Sequence, residues 1–150
     1  MAKRPRKKIE QRDIYMCDLT AGAIGSEQKG FHPVLIVSCN IRNETSNNVF
    51  VFPLTHAIKK SQPTHYALYK VEYPFLLYDK SIIQCEEGRS ISKKRLRRFM
   101  GQISEYDFEE IMRFKEFIFD RLEELIKRNG KIKVTEDEAK NIWFRMYIVT

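Results

Sequence analysis

The chain has 150 residues, the usual length of one domain, and can bury about 68–70% of its unfolded surface without cross-links. Apolar residues make up 43% and charged residues 31%, which argues against wholesale disorder. No apolar run approaches the roughly 20 residues of a membrane-spanning helix, and no apolar segment follows the basic N-terminus as in a secretory signal. We therefore expect one globular domain in the cytoplasm, with no membrane partner.

The cysteines and the charges narrow the class of partner. Cys17, Cys39 and Cys85 are an odd number with wide spacing and no CxxC, which predicts neither a disulfide framework nor a zinc site. The net charge of +7 is concentrated in two basic runs, residues 1–12 and 93–98, each with a local charge of +5. Such clusters on an otherwise slightly acidic chain indicate a polyanionic partner.

Five segments have the alternating or continuous apolar character of strands. They are residues 13–19, 34–38, 48–54, 65–69 and 81–85. Polar or proline-containing turns separate them at intervals that are typical of small antiparallel folds. The pattern predicts an antiparallel β-barrel.

The last third of the chain has a helical period instead. Apolar residues from Phe108 to Ile126 predict a long helix, and Ser104 with Asp107 forms a capping box at its start. A second apolar stripe after residue 135 predicts a shorter terminal helix. The expected fold class is α+β, mainly β. The expected divisions are a basic flexible tail at 1–12, the main domain at 13–130 and a helical extension at 131–150.

Motifs for several common chemistries are missing from the sequence. There is no GxGxxG or Walker-A loop, which argues against a nucleotide cofactor. There is no HExxH, and His32, His56 and His65 are too scattered to indicate a metal cluster. We therefore expect no cofactor and no metal ion.

One loop stands out as a candidate site. Residues 22–33 join the first predicted strand to the second and contain three glycines and a proline. The loop carries an acid, an amide, a lysine and a histidine, namely Glu27, Gln28, Lys29 and His32. Functional residues concentrate on loops that a rigid sheet supports.

Four segments of the sequence resemble the MazF/PemK toxins, in the same order and spacing. The first is GSEQ at residues 25–28 with PVLIV at 33–37, and the second is the strand end at 54–55. The third is PTH at residues 63–65, and the fourth runs from residue 81 to 96. Together they place about residues 12–128 within the resemblance.

The resemblance implies an SH3-like β-barrel and a homodimer. It also implies a toxin that acts as a metal-independent, sequence-selective endoribonuclease on single-stranded RNA, often mRNA, and that a cognate antitoxin neutralises. Such cleavage needs a deprotonated 2′-hydroxyl, a stabilised phosphorane and a protonated 5′-oxygen. The expected products carry a 2′,3′-cyclic phosphate and a 5′-hydroxyl.

The resemblance also implies site residues, position by position. Glu27, Thr55 and Glu86 match catalytic positions of the family, and His32 stands where most active members have an arginine. We predict that these four residues are catalytic. The predicted RNA-binding residues are Gln28, Lys29, Arg89, Lys93 and Lys94.

The histidine at position 32 leaves alternatives open. An arginine offers a charged, two-pronged donor to phosphate, whereas a neutral histidine offers one donor but titrates near neutral pH. The chain is accordingly an active endoribonuclease or a catalytically degenerate RNA-binding or regulatory protein. A gyrase-targeting toxin is a third class with the same fold, and the GSEQ loop and Thr55 argue against it.

Overall fold

The computed structural model describes residues 7–20, 30–57, 60 and 62–114. This part of the chain contains seven strands and two helices. In chain order they are β1 (Asp13–Asp18), β2 (Phe31–Ile36), α1 (Asn40–Thr45), β3 (Asn48–Thr55), β4 (His65–Tyr69), β5 (Lys80–Gln84), β6 (Arg89–Ser92), β7 (Leu96–Gln102) and α2 (Glu105–Met112). Short 3-10 turns at Cys85–Glu87 and Lys93–Arg95 precede β6 and β7.

The described strands form one antiparallel sheet in the order β4-β5-β3-β2-β1-β7. One long strand, β3, pairs with β2 along one side, and with β6 and then β5 along the other. The predicted mainly-β class with helices is confirmed. The described pairings leave β4 and β7 apart at the two ends of this path, so the sheet is open where a closed barrel was expected.

Both faces of the sheet are apolar because its central strands are covered on each side. Ile14, Leu35 and Phe52 belong to a larger core cluster, which α2 joins through Phe108 and Ile111. The alternate positions of the same strands belong to a second cluster on the opposite face. Its members are Tyr15, Cys17, Leu19, Val34, Ile36, Val49, Val51 and Ile91. A strand buried on both sides reads as a continuous apolar run, as in residues 34–37.

The sequence-based elements agree with the structure in the first part of the chain. All five predicted strands are present within a few residues, and the Ser104 hydroxyl accepts the Asp107 N–H at 3.1 Å as the capping box requires. Two strands, β6 and β7, were not predicted. A polar turn was predicted between the strands at 34–38 and 48–54, and α1 occupies much of that segment. The predicted helices lie beyond residue 114 for most of their length, outside the described residues.

The residues just before β1 contact the sheet. The Lys7 ammonium lies 2.7 Å from the buried carboxylate of Asp13, and Arg12 donates to the Ile103 carbonyl at 3.0 Å. Residues 1–6 of the predicted tail lie outside the described part. None of the described helices is long and apolar enough to cross a membrane.

Candidate functional site

Two of the predicted site residues lie on one face of the sheet because of strand register. His32 of β2 pairs with Cys17 of β1, and Arg89 of β6 pairs with Val51 of β3. Directly opposed residues of an antiparallel pair have their side chains on the same face. Cys17 and Val51 both belong to the second core cluster, so His32 and Arg89 share the face above it.

Thr55 belongs to the same face. It is the last residue of β3, four positions after Val51, and strand side chains alternate with a period of two. The pairing of β2 with β3 ends at Val34 and Pro53, and His32 and Thr55 each lie two residues beyond that pair on their strands. The Thr55 oxygen accepts the Ala57 N–H at 3.3 Å, which leaves its own proton able to be donated.

Three arginine charges act on the strand partner of His32. Burial raises the pKa of the Cys17 thiol to about 11, and the charges of Arg89, Arg95 and Arg97 oppose that rise. These three guanidinium groups therefore lie close to the residue that pairs with His32. Arg95 also has a buried nitrogen, Nη1, with no hydrogen-bond partner among the described residues. In the sequence, Arg95 and Arg97 are marked by their place in the second basic run, and Arg95 also lies in the segment 81–96 that resembles the family.

Glu86 is held against the start of β4. Its carboxylate accepts the Thr64 hydroxyl at 2.7 Å and the His65 Nε2 at 2.8 Å. His65 Nδ1 accepts the backbone N–H of Gln62 at 3.1 Å, so the ring proton lies on Nε2 and points at Glu86. His65 therefore positions Glu86, and the spare lone pairs of the carboxylate remain for another donor.

The loop that carries Glu27, Gln28 and Lys29 lies outside the described residues, but both of its ends are in place. The N–H of Gly30 donates to the Thr20 hydroxyl at 2.8 Å, and the N–H of Leu19 donates to the Gly30 carbonyl at 2.9 Å. Gly30 has φ of +83°, a left-handed conformation that favours glycine. The loop therefore leaves and rejoins the sheet two residues from His32.

The predicted RNA-binding residues Lys93 and Lys94 line a cleft of about 530 Å³ together with Arg97. The two lysines lie in the 3-10 turn before β7, where the Ser92 hydroxyl accepts the Lys94 N–H at 3.2 Å. Leu96, the first residue of β7, also lines the cleft and pairs with Cys17. The cleft therefore adjoins the face of His32 and Arg89.

These features define a small antiparallel β-protein with a cationic face, the class that suits a polyanionic ligand. The sequence profile of a family described as "PemK-like, MazF-like toxin of type II toxin-antitoxin system" matches residues 10–114. The chain therefore belongs to this toxin family.

The chain is similar to several characterised relatives. It is 36% identical over 104 residues to "Endoribonuclease MazF" of Staphylococcus epidermidis, which covers 69% of this chain and 84% of the relative. MazF (Form-I) of Deinococcus radiodurans has a TM-score of 0.59 at 18% identity, covering 71% of this chain and 91% of that one. A mycobacterial endoribonuclease described in complex with its cognate antitoxin has a TM-score of 0.55 at 23% identity, covering 69% and 86%. The two structural likenesses show the shared fold.

Proposed function

We propose that this chain is the toxin of a type II toxin–antitoxin pair and acts as a sequence-selective, metal-independent endoribonuclease on single-stranded RNA. One observation carries the proposal: His32, Thr55 and Arg89, matched by position to the family's site, share one face of the sheet. Membership of the toxin family and the similarity to an endoribonuclease support it.

The reaction divides among few side chains. A carboxylate, Glu27 or Glu86, takes the proton of the 2′-hydroxyl, whose oxygen then attacks the adjacent phosphorus. His32, starting as the protonated imidazolium, gives its proton to the departing 5′-oxygen and becomes neutral. One fragment therefore ends in a 2′,3′-cyclic phosphate, and the other begins with a 5′-hydroxyl. The Thr55 hydroxyl donates to a phosphate oxygen as negative charge develops on it.

Neighbouring arginines supply the permanent charge that His32 lacks. An imidazole has neither the permanent charge nor the paired donors of a guanidinium, and it loses its charge when it gives up the proton. Arg89 lies on the same face, and the buried Nη1 of Arg95 has no described partner. Arg89 and Arg95 therefore stabilise the phosphorane, while His32 exchanges the proton.

The positive charge of this face also indicates the partners of the chain. Single-stranded RNA lies along the cationic face, and a cognate antitoxin covers this face in the inhibited complex. A related mycobacterial endoribonuclease is described with its cognate antitoxin, which supports this assignment. We assign a homodimer as the working state, and light scattering of the purified chain tests it.

Cleavage in EDTA is the direct test. Purified protein is incubated with a labelled single-stranded RNA at roughly pH 5 to 9. We expect cleavage with EDTA present, and mass spectrometry should find cyclic phosphate ends. H32A should abolish cleavage, whereas the control H56A should retain it because the exposed His56 ring stacks on Tyr78. A folded wild type that cuts no RNA over this pH range contradicts the proposal.

The second candidate is a degenerate relative that binds RNA without cutting it. The histidine at position 32 is the observation that favours it. It predicts RNA binding that weakens steeply with salt, intact RNA in every reaction, and no effect of H32A beyond a change of affinity.

A further inference from the structure

The cleft beside β7 has a cationic rim and an apolar lining. Lys93, Lys94 and Arg97 supply the charges, and Ile9, Tyr15, Leu96 and Phe99 supply most of the apolar surface. Its volume of about 530 Å³ falls in the usual range of small-ligand sites. A nucleotide has a charged phosphate and a flat base whose faces stack on apolar side chains, so it matches both parts of this lining.

The cations of the rim have few counter-charges among the described residues. Among the described residues, Lys93, Lys94 and Arg97 form no ion pair with a carboxylate, and Arg97 makes one hydrogen bond, to the Lys94 carbonyl at 2.8 Å. Lys7 differs because it is paired with Asp13 at 2.7 Å and lies 4.5 Å from the centre of the Phe99 ring. The hydrogen bonds of Thr20, followed by the charge of Arg97, lower the pKa of the Asp18 carboxyl, so Asp18 offsets part of the Arg97 charge. The three cations of the rim still outnumber this carboxylate and attract an anionic occupant.

A buried donor at the cleft wall gives a second, independent indication. Tyr15 is 6% exposed, and its hydroxyl is buried without a hydrogen-bond partner among the described residues. Buried hydroxyls are ordinarily hydrogen bonded, and exceptions mark missing partners such as a ligand or water. Tyr15 lines the cleft, so a phosphate or base oxygen that reaches its hydroxyl would accept a hydrogen bond from it.

The cleft lies next to the proposed catalytic face of the sheet, on its β7 side. Cys17 of β1 pairs with His32 on one side and with Leu96 of the cleft on the other. Neighbouring strands lie about 4.8 Å apart, so the cleft begins roughly 10 Å from His32 across the sheet. An RNA strand that crosses His32 in the direction of β7 therefore reaches the cleft at a flanking nucleotide.

We propose that this cleft is a second RNA subsite, which binds a nucleotide flanking the scissile bond and holds its phosphate between Arg97, Lys93 and Lys94. The inference rests on the proposed function, because it places this subsite beside that reaction centre. A second copy of the same surface is a poor occupant because symmetric contact would oppose like charges. An acidic peptide matches the charges but offers no flat base to the apolar lining.

The test uses an RNA that cannot be cleaved. A fully 2′-O-methylated single strand lacks the attacking hydroxyl, so its binding is measured by fluorescence anisotropy without turnover. We compare wild type, R97Q and R98Q over a series of salt concentrations. Arg98 is the matched control because it is exposed, adjacent and equally charged but does not line the cleft.

We expect R97Q to weaken binding about tenfold at low salt and to reduce the salt slope by about 0.7, the share of one phosphate contact in a single strand. R98Q should change both quantities less. R97K should recover the slope, which separates a charge effect from loss of the bond to the Lys94 carbonyl.

Equal effects of R97Q and R98Q overturn the subsite while the proposed nuclease stands. If wild type and its variants bind as expected but no RNA is cut in EDTA, the nuclease proposal fails and the subsite stands. If R97Q loses binding of polyglutamate but keeps that of RNA, the cleft binds acidic peptide and the inference is overturned. A wild type that binds no RNA overturns both proposals.

Discussion

The Nε2 of His65 lies 2.8 Å from the carboxylate of Glu86, and the backbone N–H of Gln62 fixes the ring proton on that nitrogen. This contact joins the start of β4 to the turn before β6, which carries Arg89. His65, which belongs to the PTH motif, thus holds the predicted catalytic acid Glu86 in place. The contribution of His65 to the stability of the fold can be measured separately from catalysis.

His65→Ala should lower the free energy of unfolding by about 1.5–3 kcal/mol, because a mostly buried donor to a carboxylate is lost. Urea denaturation measures the change. His56→Ala is the matched control, since the stacking on Tyr78 is the one contact of its exposed ring recorded among the described residues, and it should cost less than about 1 kcal/mol. Equal losses for the two variants would refute the supporting role of His65.

Arg95 should matter for cleavage more than its neighbour Arg98. Arg95→Met removes a donor that has a buried, unpartnered nitrogen near the proposed centre, and we expect kcat to fall by about 10²–10³-fold. Arg95→Lys keeps the charge without the paired donors and should recover part of the rate. Arg98→Met should leave kcat within a few-fold of wild type. Single-turnover cleavage of a labelled RNA gives these rates, and similar losses in both methionine variants would count against Arg95.

Tyr15→Phe should stabilise the free protein by about 1 kcal/mol, because it removes a buried hydroxyl that lacks a described partner. The same change should weaken RNA binding if the cleft is occupied as proposed. Urea midpoints and anisotropy measure the two effects. A variant that is less stable than wild type would show that the hydroxyl is satisfied in solution.

The alkaline stability of the protein should also depend on Tyr15. Burial, followed by the charges of Asp13 and Glu10, raises the pKa of Tyr15 from 10.0 to about 12. The unfolded chain therefore loses the tyrosine proton first as the pH rises. The stabilisation is complete below pH 10 and declines between pH 10 and about 12, by at most about 1.4 kcal/mol per pH unit. Tyr15→Phe should flatten this decline relative to wild type.

Gly88 has no room for a side chain. An added Cβ would lie 2.8 Å from Phe52 and 2.9 Å from Phe50, two fully buried rings. Gly88→Ala should therefore cost about 1–3 kcal/mol of stability through overpacking. The cost should shrink in a Phe52→Leu background, because the two positions share the clash. A double-mutant cycle by urea denaturation measures the coupling, and strictly additive losses would contradict the contact.

The strands that sequence patterns predicted are those with apolar faces. β6 and β7 were not predicted because polar and charged residues interrupt their apolar positions, as in strands that protect a sheet edge. α1 was not predicted because its sequence has no apolar stripe of helical period. Instead, buried Asn43 fixes α1 by exchanging hydrogen bonds with Ser38 at 2.6 and 2.8 Å.

Only the site residues that lie within family motifs could be predicted from the sequence. His32, Thr55 and Arg89 were found by position, and strand pairing then placed them on one face. Arg95 and Arg97 were not predicted as site residues. Their approach to His32 depends on the pairing of Leu96 with Cys17, two residues that lie far apart in the sequence. The charges of the run at residues 93–98 do not by themselves predict which of its side chains lie near His32.

All three cysteines of the chain are buried: Cys17 and Cys85 are 0% exposed and Cys39 is 2% exposed. Burial also raises the pKa of Cys17 and Cys85, so little thiolate forms at neutral pH. The native cysteines of the wild type should therefore not react with maleimide reagents. A single cysteine placed at Val71, which is 89% exposed, gives one labelling position for a fluorophore without removing any native thiol.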